Sequence, residues 1–441
     1  MISGPIFTRI MPIEQYGIVS TFISWQSVLY IVFTLNMAAG VFNNGMLEFK
    51  KDKNGFSYSL MGLANLITIM WLVIYLLLEK WLNPILDMNN FLIFLLFIYC
   101  LVTPAYNYWI GMERYEFRYK MPCILMSIIS ITSTVLGIII VLIIPDELKA
   151  SGKIFATELP AIIVGGYFSV KLLWKNRTKN ITKYWKYALM FNGPLLVHYL
   201  SMYVLSSSDR IMISKLVGTS ETAIYNVAYT VASIILIFEQ SVEASYAPWV
   251  YQKIELNEFK AIDKRGQQIL LLFGGTTILC SLFAPEIIGI LAPKEYGAGI
   301  YIVPSVAASV YFTTVYALFM RVELYYKKTT IITVATVISA IINIVLNYLL
   351  IPRIGFIAAG YTTLVSYLFL AVFHGLNLKR IGKGYIYNLK KIGILSVAIL
   401  IISFVINIIY DYLYIRVFLI IMILMIAIIK QKGIRELIKK E

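Results

Sequence analysis

The chain has 441 residues, 60% of them hydrophobic and 14% charged, with a formal net charge of +15. A water-soluble domain carries about a quarter charged residues, so this composition excludes one and requires a protein embedded in a bilayer. The positive charge does not call for nucleic acid, because it lies in alternate loops between apolar runs.

The chain opens MISGPIFTRIMPIEQYG, which lacks the basic start, apolar core and small-residue cleavage site of a signal peptide. From position 17 onward, apolar runs follow one another, each long enough to cross a hydrocarbon layer of about 30 Å. They predict thirteen helical spans, near 17–42, 57–79, 89–111, 122–144, 154–174, 187–206, 221–247, 267–291, 300–321, 329–350, 355–377, 391–410 and 412–430. Ile, Leu and Val fill these runs, and aromatic residues gather at many of their ends, as interfacial belts do. No period-two alternation occurs, which excludes a transmembrane β-barrel.

The loops sort by charge. Segments after the odd-numbered spans hold 28 Lys and Arg, from Lys50, Lys51 and Lys53 to the basic tail. The opposite side holds nine, among them Arg9, Lys149, Arg210 and Arg416, while Lys171 falls inside a span. The basic side is expected to be cytoplasmic, with the C-terminus on it. Every loop is short. The longest, about 248–266, has room for a turn or two of amphipathic helix, so no globular catalytic domain is expected.

Three cysteines, Cys100, Cys123 and Cys280, lie in apolar segments without metal-ligand spacing, and two histidines alone cannot build a metal site. No phosphate-loop, HExxH or GxSxG pattern occurs, so ATP hydrolysis and hydrolytic chemistry are not expected, and neither is a cofactor.

The chain repeats internally. TRIMPIEQYG near the start is echoed by DRIMISKLVGTSETAIY in the middle: Arg9, Ile10 and Met11 match Arg210, Ile211 and Met212, and Glu14 and Tyr16 match Glu221 and Tyr225. ERYEFRYKMP (113–122) and RVELYYKKTT (321–330) hold corresponding places in the two halves. This predicts an N-terminal lobe over 1–186, a C-terminal lobe over 187–378, and two extra helices with a basic tail over 379–441. A full span precedes Arg210 but only eight residues precede Arg9. The repeat therefore predicts a fourteenth helix ahead of Arg9, which would return the N-terminus to the cytoplasmic side.

SSSDRIMISKLVGTSETAIYNVAYTVASI resembles the central motif of the polysaccharide-transporter branch of the MOP flippase superfamily. LNYLLIPRIGFIAAGYTTLVSY (346–367), TRIMPIEQYGIVS and GVFNNGMLEF are similar to other segments of that branch. The resemblance implies an all-α polytopic membrane protein, with two pseudo-symmetric six-helix lobes around a central cavity and two C-terminal helices. It implies a Wzx-type flippase that moves an undecaprenyl-pyrophosphate-linked oligosaccharide repeat unit by alternating access. The setting would be the bacterial cytoplasmic membrane, for capsule or O-antigen-like polysaccharide. Membrane lipids, H+ or Na+, and other polysaccharide-assembly proteins are the implied partners.

A diphosphate headgroup in hydrocarbon needs a cationic, hydrogen-bonding environment. Arg9 and Arg210 are the first candidates, since the arginine fork suits phosphate. Asp209 would orient Arg210. The alternatives are interfacial anchors or a structural Asp–Arg pair. His198 and Asn226 are further candidate ligands, or packing and interhelical groups. Glu239 and Glu243, four apart on one helix face, are candidates for ion coupling, with an interfacial or cross-helix role as the alternative. Pro194 is a candidate hinge. A MATE-type cation-coupled drug antiporter would want acidic residues inside the first half, which holds almost none. A polysaccharide polymerase would want a large external loop.

Overall fold

The computed structural model describes residues 3–175 and 178–429. The described residues form helices and connecting turns, with no strand among them. In chain order the helices are α1 (Gly4–Ile10), α2 (Ile13–Thr34), α3 (Gly40–Glu48), α4 (Lys53–Leu86), α5 (Asn90–Tyr115), α6 (Lys120–Ile143), α7 (Lys149–Lys175) and α8 (Ile181–Leu216). They continue as α9 (Thr219–Glu255), α10 (Phe259–Leu282), α11 (Ala284–Leu291), α12 (Val303–Tyr325), α13 (Thr329–Ile354), α14 (Ile357–Arg380), α15 (Leu389–Ile409) and α16 (Leu413–Ile429). Among the described residues, ten helices are individually long and apolar enough to cross a membrane, or twelve when two bent pairs each count as one span. The thirteenth expected span is the shorter α16, of 17 residues.

Three expected boundaries differ. The span 17–42 is broken: α2 stops at Thr34 and α3 starts at Gly40. Leu35 and Asn36 between them take left-handed backbone, φ 51° and 48°. The Leu35 carbonyl freed by this turn accepts a hydrogen bond from Asn192 Nδ2. The span 267–291 bends by 63° between α10 and α11. Pro285 lies in the first turn of α11, where its missing N–H is harmless, but inside a continuous helix it would break the ladder. The loop expected at 248–266 is mostly helix, because α9 runs through Pro248 to Glu255 and α10 begins at Phe259.

The described residues divide into two compact units. One is Arg9–Ser207; the other runs from Ser208 onward and takes in the first turn of chain through Thr8. By its contacts the first stretch of α8 packs with the first unit. Trp185 Nε1 donates to the Ser59 carbonyl at 2.7 Å, and the Tyr184 hydroxyl donates to Asp52 Oδ2 at 2.7 Å. Asp52 also accepts from the Gly55 amide and so caps α4.

Aromatic packing fills the core of the first unit. Phe42 stacks on Tyr108 at 5.0 Å, and Phe56 meets Tyr184 edge-on at 5.5 Å. Where α7 crosses α5, Gly165 permits the approach: a Cβ there would lie 3.0 Å from the Val102 carbonyl carbon and oxygen. In the second unit α12 is the central helix and is buried over most of its length against α9, α10, α14 and α15.

The paired segments of the repeat close their helices in the same way. Phe117 after α5 and Lys327 after α12 both take left-handed backbone, φ 58° and 57°. The Arg118 amide donates to the Glu113 carbonyl at 2.8 Å, and the Lys328 amide to the Glu323 carbonyl at 2.9 Å. Each is the six-to-one closure that satisfies carbonyls at a helix end. Glu113 and Glu323 therefore hold the same position in their turns.

Candidate functional site

Asp209 lies in the last two turns of α8 and is fully buried. Its Oδ2 accepts from the Tyr225 hydroxyl of α9 and from Thr363 Oγ1 of α14, both at 2.6 Å. Its Oδ1 accepts from Asn347 Nδ2 of α13, also at 2.6 Å. Asn347 donates in turn to Asn343 Oδ1, which also accepts from Ser208 Oγ, each at 3.1 Å. Thr362 donates to Asn347 Oδ1. One carboxylate thus ties together four helices through groups that would be costly to bury alone.

Arg210, the next residue, turns elsewhere. Its Nε donates to Asn226 Oδ1 at 2.9 Å, and its guanidinium lies 4.3 Å from the Tyr229 ring centroid. Tyr225 and Tyr229 are one turn apart on α9, so one holds Asp209 and the other carries Arg210. Neighbouring opposite charges are thereby given different tasks: Asp209 fixes the backbone and Arg210 keeps a half-buried, oriented fork. The structure brings together Asp209, Arg210 and Asn226 of the sequence candidates.

Glu239 and Glu243 lie further along α9. Glu239 is buried, and Glu243 forms an ion pair with Arg321 of α12. With them, Tyr246 of α9, Phe273 of α10 and Thr314 of α12 line a small cleft. Arg321 was counted with the basic loop in the sequence, and only the helix packing shows it facing inward to a carboxylate.

Of the candidates in the other unit, His198 is half-buried in α8 beside Tyr199, its ring 6.0 Å from the tyrosine ring. Arg9 is exposed in the last turn of α1. The side chain of Pro194 lies outside the described residues; the flanking helical stretches, Ile181–Gly193 and Leu195–Leu216, are bent by 50°.

Two polar groups were not singled out from the sequence. Glu158 of α7 is buried and hydrogen-bonded to Gln26 of α2. Its signal was a lone acid inside the span 154–174. Glu323 of α12 is fully buried with His374 and Asn377 of α14. Its signal was the spacing of His374 and Asn377, one turn apart on a single helix face.

The family model described as polysaccharide biosynthesis protein matches residues 1–254, and the MatE model matches residues 194–349. The probable low-salt glycan biosynthesis flippase Agl15 of Haloferax volcanii is 26% identical over 178 residues, which cover 39% of this chain and 37% of that protein. The chain spans 37% and 49% of the lengths of two curated relatives that it matches. Among solved structures, lipid II flippase MurJ in an inward closed conformation superposes with a TM-score of 0.66 at 13% identity, covering 98% of each chain. An inward-facing multidrug resistance MATE family transporter of the MOP superfamily gives 0.59 at 14% identity, covering 87% of this chain and 94% of the other. At these identities the likeness is one of fold.

Proposed function

The chain belongs to the polysaccharide biosynthesis protein family, and from that premise we propose that it is a flippase for a lipid-linked oligosaccharide. The cargo in this reading is an undecaprenyl-pyrophosphate-linked repeat unit crossing the bacterial cytoplasmic membrane for capsule or O-antigen-like polysaccharide. Its lipid tail can stay in the bilayer, whereas its diphosphate and glycan need a polar path. Arg210 is the observation that carries the reading. Its guanidinium is oriented by Asn226 and laid on Tyr229, beside the buried network that fixes its stretch of α8. An oriented arginine fork suits a diphosphate, and tyrosine faces suit sugar rings.

Alternating access supplies the movement, with the bend in α8 as its hinge. An H+ or Na+ gradient drives the cycle through Glu239, while Glu243 stays engaged by Arg321. The basic loops and the C-terminus face the cytoplasm, and other polysaccharide-assembly proteins receive the glycan.

One observation favours a second reading, a cation-coupled drug antiporter. Glu158 places a buried acid in the first half of the chain, where such a transporter would want one. One experiment separates the two. Arg210→Ala, Arg210→Lys and Glu158→Gln are expressed in cells whose surface glycan depends on this protein, and glycan display, cationic-dye efflux and membrane abundance are measured. The flippase reading expects Arg210→Ala to abolish glycan display at normal abundance, with Lys retaining part of it. Abundance falling in proportion to display would make Arg210 structural. Loss of dye efflux in Glu158→Gln, with display intact, would favour the antiporter.

A further inference from the structure

The Glu323–His374–Asn377 cluster lies apart from the groups invoked for cargo. Glu323 and His374 have no measurable exposure, and Asn377 is 5% exposed. Glu323 Oε1 accepts from Asn377 Nδ2 at 2.7 Å, and Oε2 lies 2.7 Å from His374 Nδ1. Asn377 donates to one oxygen, and the other shares a proton with Nδ1, carried by the ring or by the carboxyl group according to the tautomer. Among the described residues the ion-pair partner of Glu323 is His374, and no lysine or arginine pairs with it.

The charge of the cluster is then decided at the other ring nitrogen. His374 Nε2 is buried and has no hydrogen-bond partner among the described residues. With a proton on Nε2 the pair is an imidazolium and a carboxylate, with no net charge. Without it, a whole negative charge stays in a dry interior. A buried net charge costs more than one unpaired N–H, which makes Nε2 the atom at which a proton would neutralise the cluster.

We propose that His374 Nε2 is the binding atom of a proton site inside the second unit, with Glu323 as its fixed counter-charge and Asn377 holding that carboxylate in place. The surroundings are aromatic and acidic. The Tyr316 ring lies 5.9 Å from His374 and the Phe373 ring 5.8 Å. Tyr316 also interacts electrostatically with Glu239, Glu243 and Arg321, the charged groups that α9 and α12 present on that side. The other charges of the packed helices stand at their ends: Lys379 and Arg380 on α14, Lys390 and Lys391 on α15, Lys260, Asp263, Lys264 and Arg265 on α10, Glu221, Lys253 and Glu255 on α9, and Arg353 on α13. The site does not depend on the identity of the cargo.

The chain has two histidines, so ring-nitrogen NMR of protein labelled with [15N]histidine reads the site directly. The full chain in lipid bilayers is observed at neutral pH, with His198→Asn to assign the signals. The expected result is a His374 with protons on both ring nitrogens. Glu323→Gln is expected to leave His374 with one ring proton under the same conditions. A neutral His374 at neutral pH in the unmutated chain overturns the proposal, and this arm needs no Glu323 variant to fold. Both ring nitrogens still protonated in Glu323→Gln, in a variant whose His198 signal is unchanged, overturns the role of Glu323. Loss of glycan display in the cell experiment above would not alter either NMR result.

Discussion

The ends of α5 and α12 share one backbone and differ in chemistry. Glu113 lies near the surface, and Arg118, 61% exposed, grips it with Nε at 2.9 Å and Nη2 at 3.0 Å. Glu323, in the same position of the same turn, is sealed inside against His374 and Asn377. The repeat therefore dictates where the chain turns, while the packing around each turn dictates what its glutamate does. In the first unit Lys53 of α4 reaches the turn through Glu116 and the Tyr115 ring, and the acid holds a loop. In the second, α14 lies across it, and the acid becomes part of a dry cluster.

The largest predicted effect tests that contrast directly. Glu323→Ala leaves His374 and Asn377 without an acceptor, and removing one partner of a buried pair costs about 3–5 kcal/mol. Glu113→Ala breaks a pair whose arginine is largely exposed, for which about 1 kcal/mol or less is expected. Thermal unfolding midpoints in detergent should separate the two variants clearly, and equal losses would break the comparison.

A middle case is the half-buried Glu243–Arg321 pair. Glu243→Ala and Arg321→Ala should each cost about 1.5–3 kcal/mol, as for hydrogen bonds to charged groups. The double variant should lose less than the sum, because neither charge is then left alone. Additive losses in the same assay would mean that the two side chains act independently.

The smallest effect addresses the shared backbone. Phe117→Gly and Lys327→Gly relieve a left-handed residue in each turn. Both are expected to raise stability by a few tenths of a kcal/mol to about 1 kcal/mol, and by similar amounts. Opposite signs would show that the two turns are not equivalent in energy.

Much of this architecture is legible in the sequence. Long apolar runs and alternating basic loops reveal the order of the spans, because hydrocarbon thickness and charge bias act on local composition. The turn equivalence follows from the paired motifs. What local composition does not carry is partnership at a distance. The break at Leu35 is latched by Asn192, 157 residues away. Asp209 reads as a mate for Arg210, its neighbour, yet its ligands come from α9, α13 and α14. His374 and Glu323 come from different helices, and only the packing of α12 on α14 brings them together. Arg321 reads as part of a basic loop until α9 is seen beside it.

The extra length of α9 has one more consequence. Its 37 residues make a rod of about 55 Å, while the hydrocarbon layer is about 30 Å thick. A long stretch of the helix therefore stands clear of the lipid tails. Near the end of α9, Trp249 lies under two cations, 6.0 Å from Lys253 Nζ and 5.9 Å from the Arg265 guanidinium at the start of α10. An indole clasped by cations from two helices favours the headgroup layer. The helix pair thus carries an anchor suited to that layer near the end of its long rod.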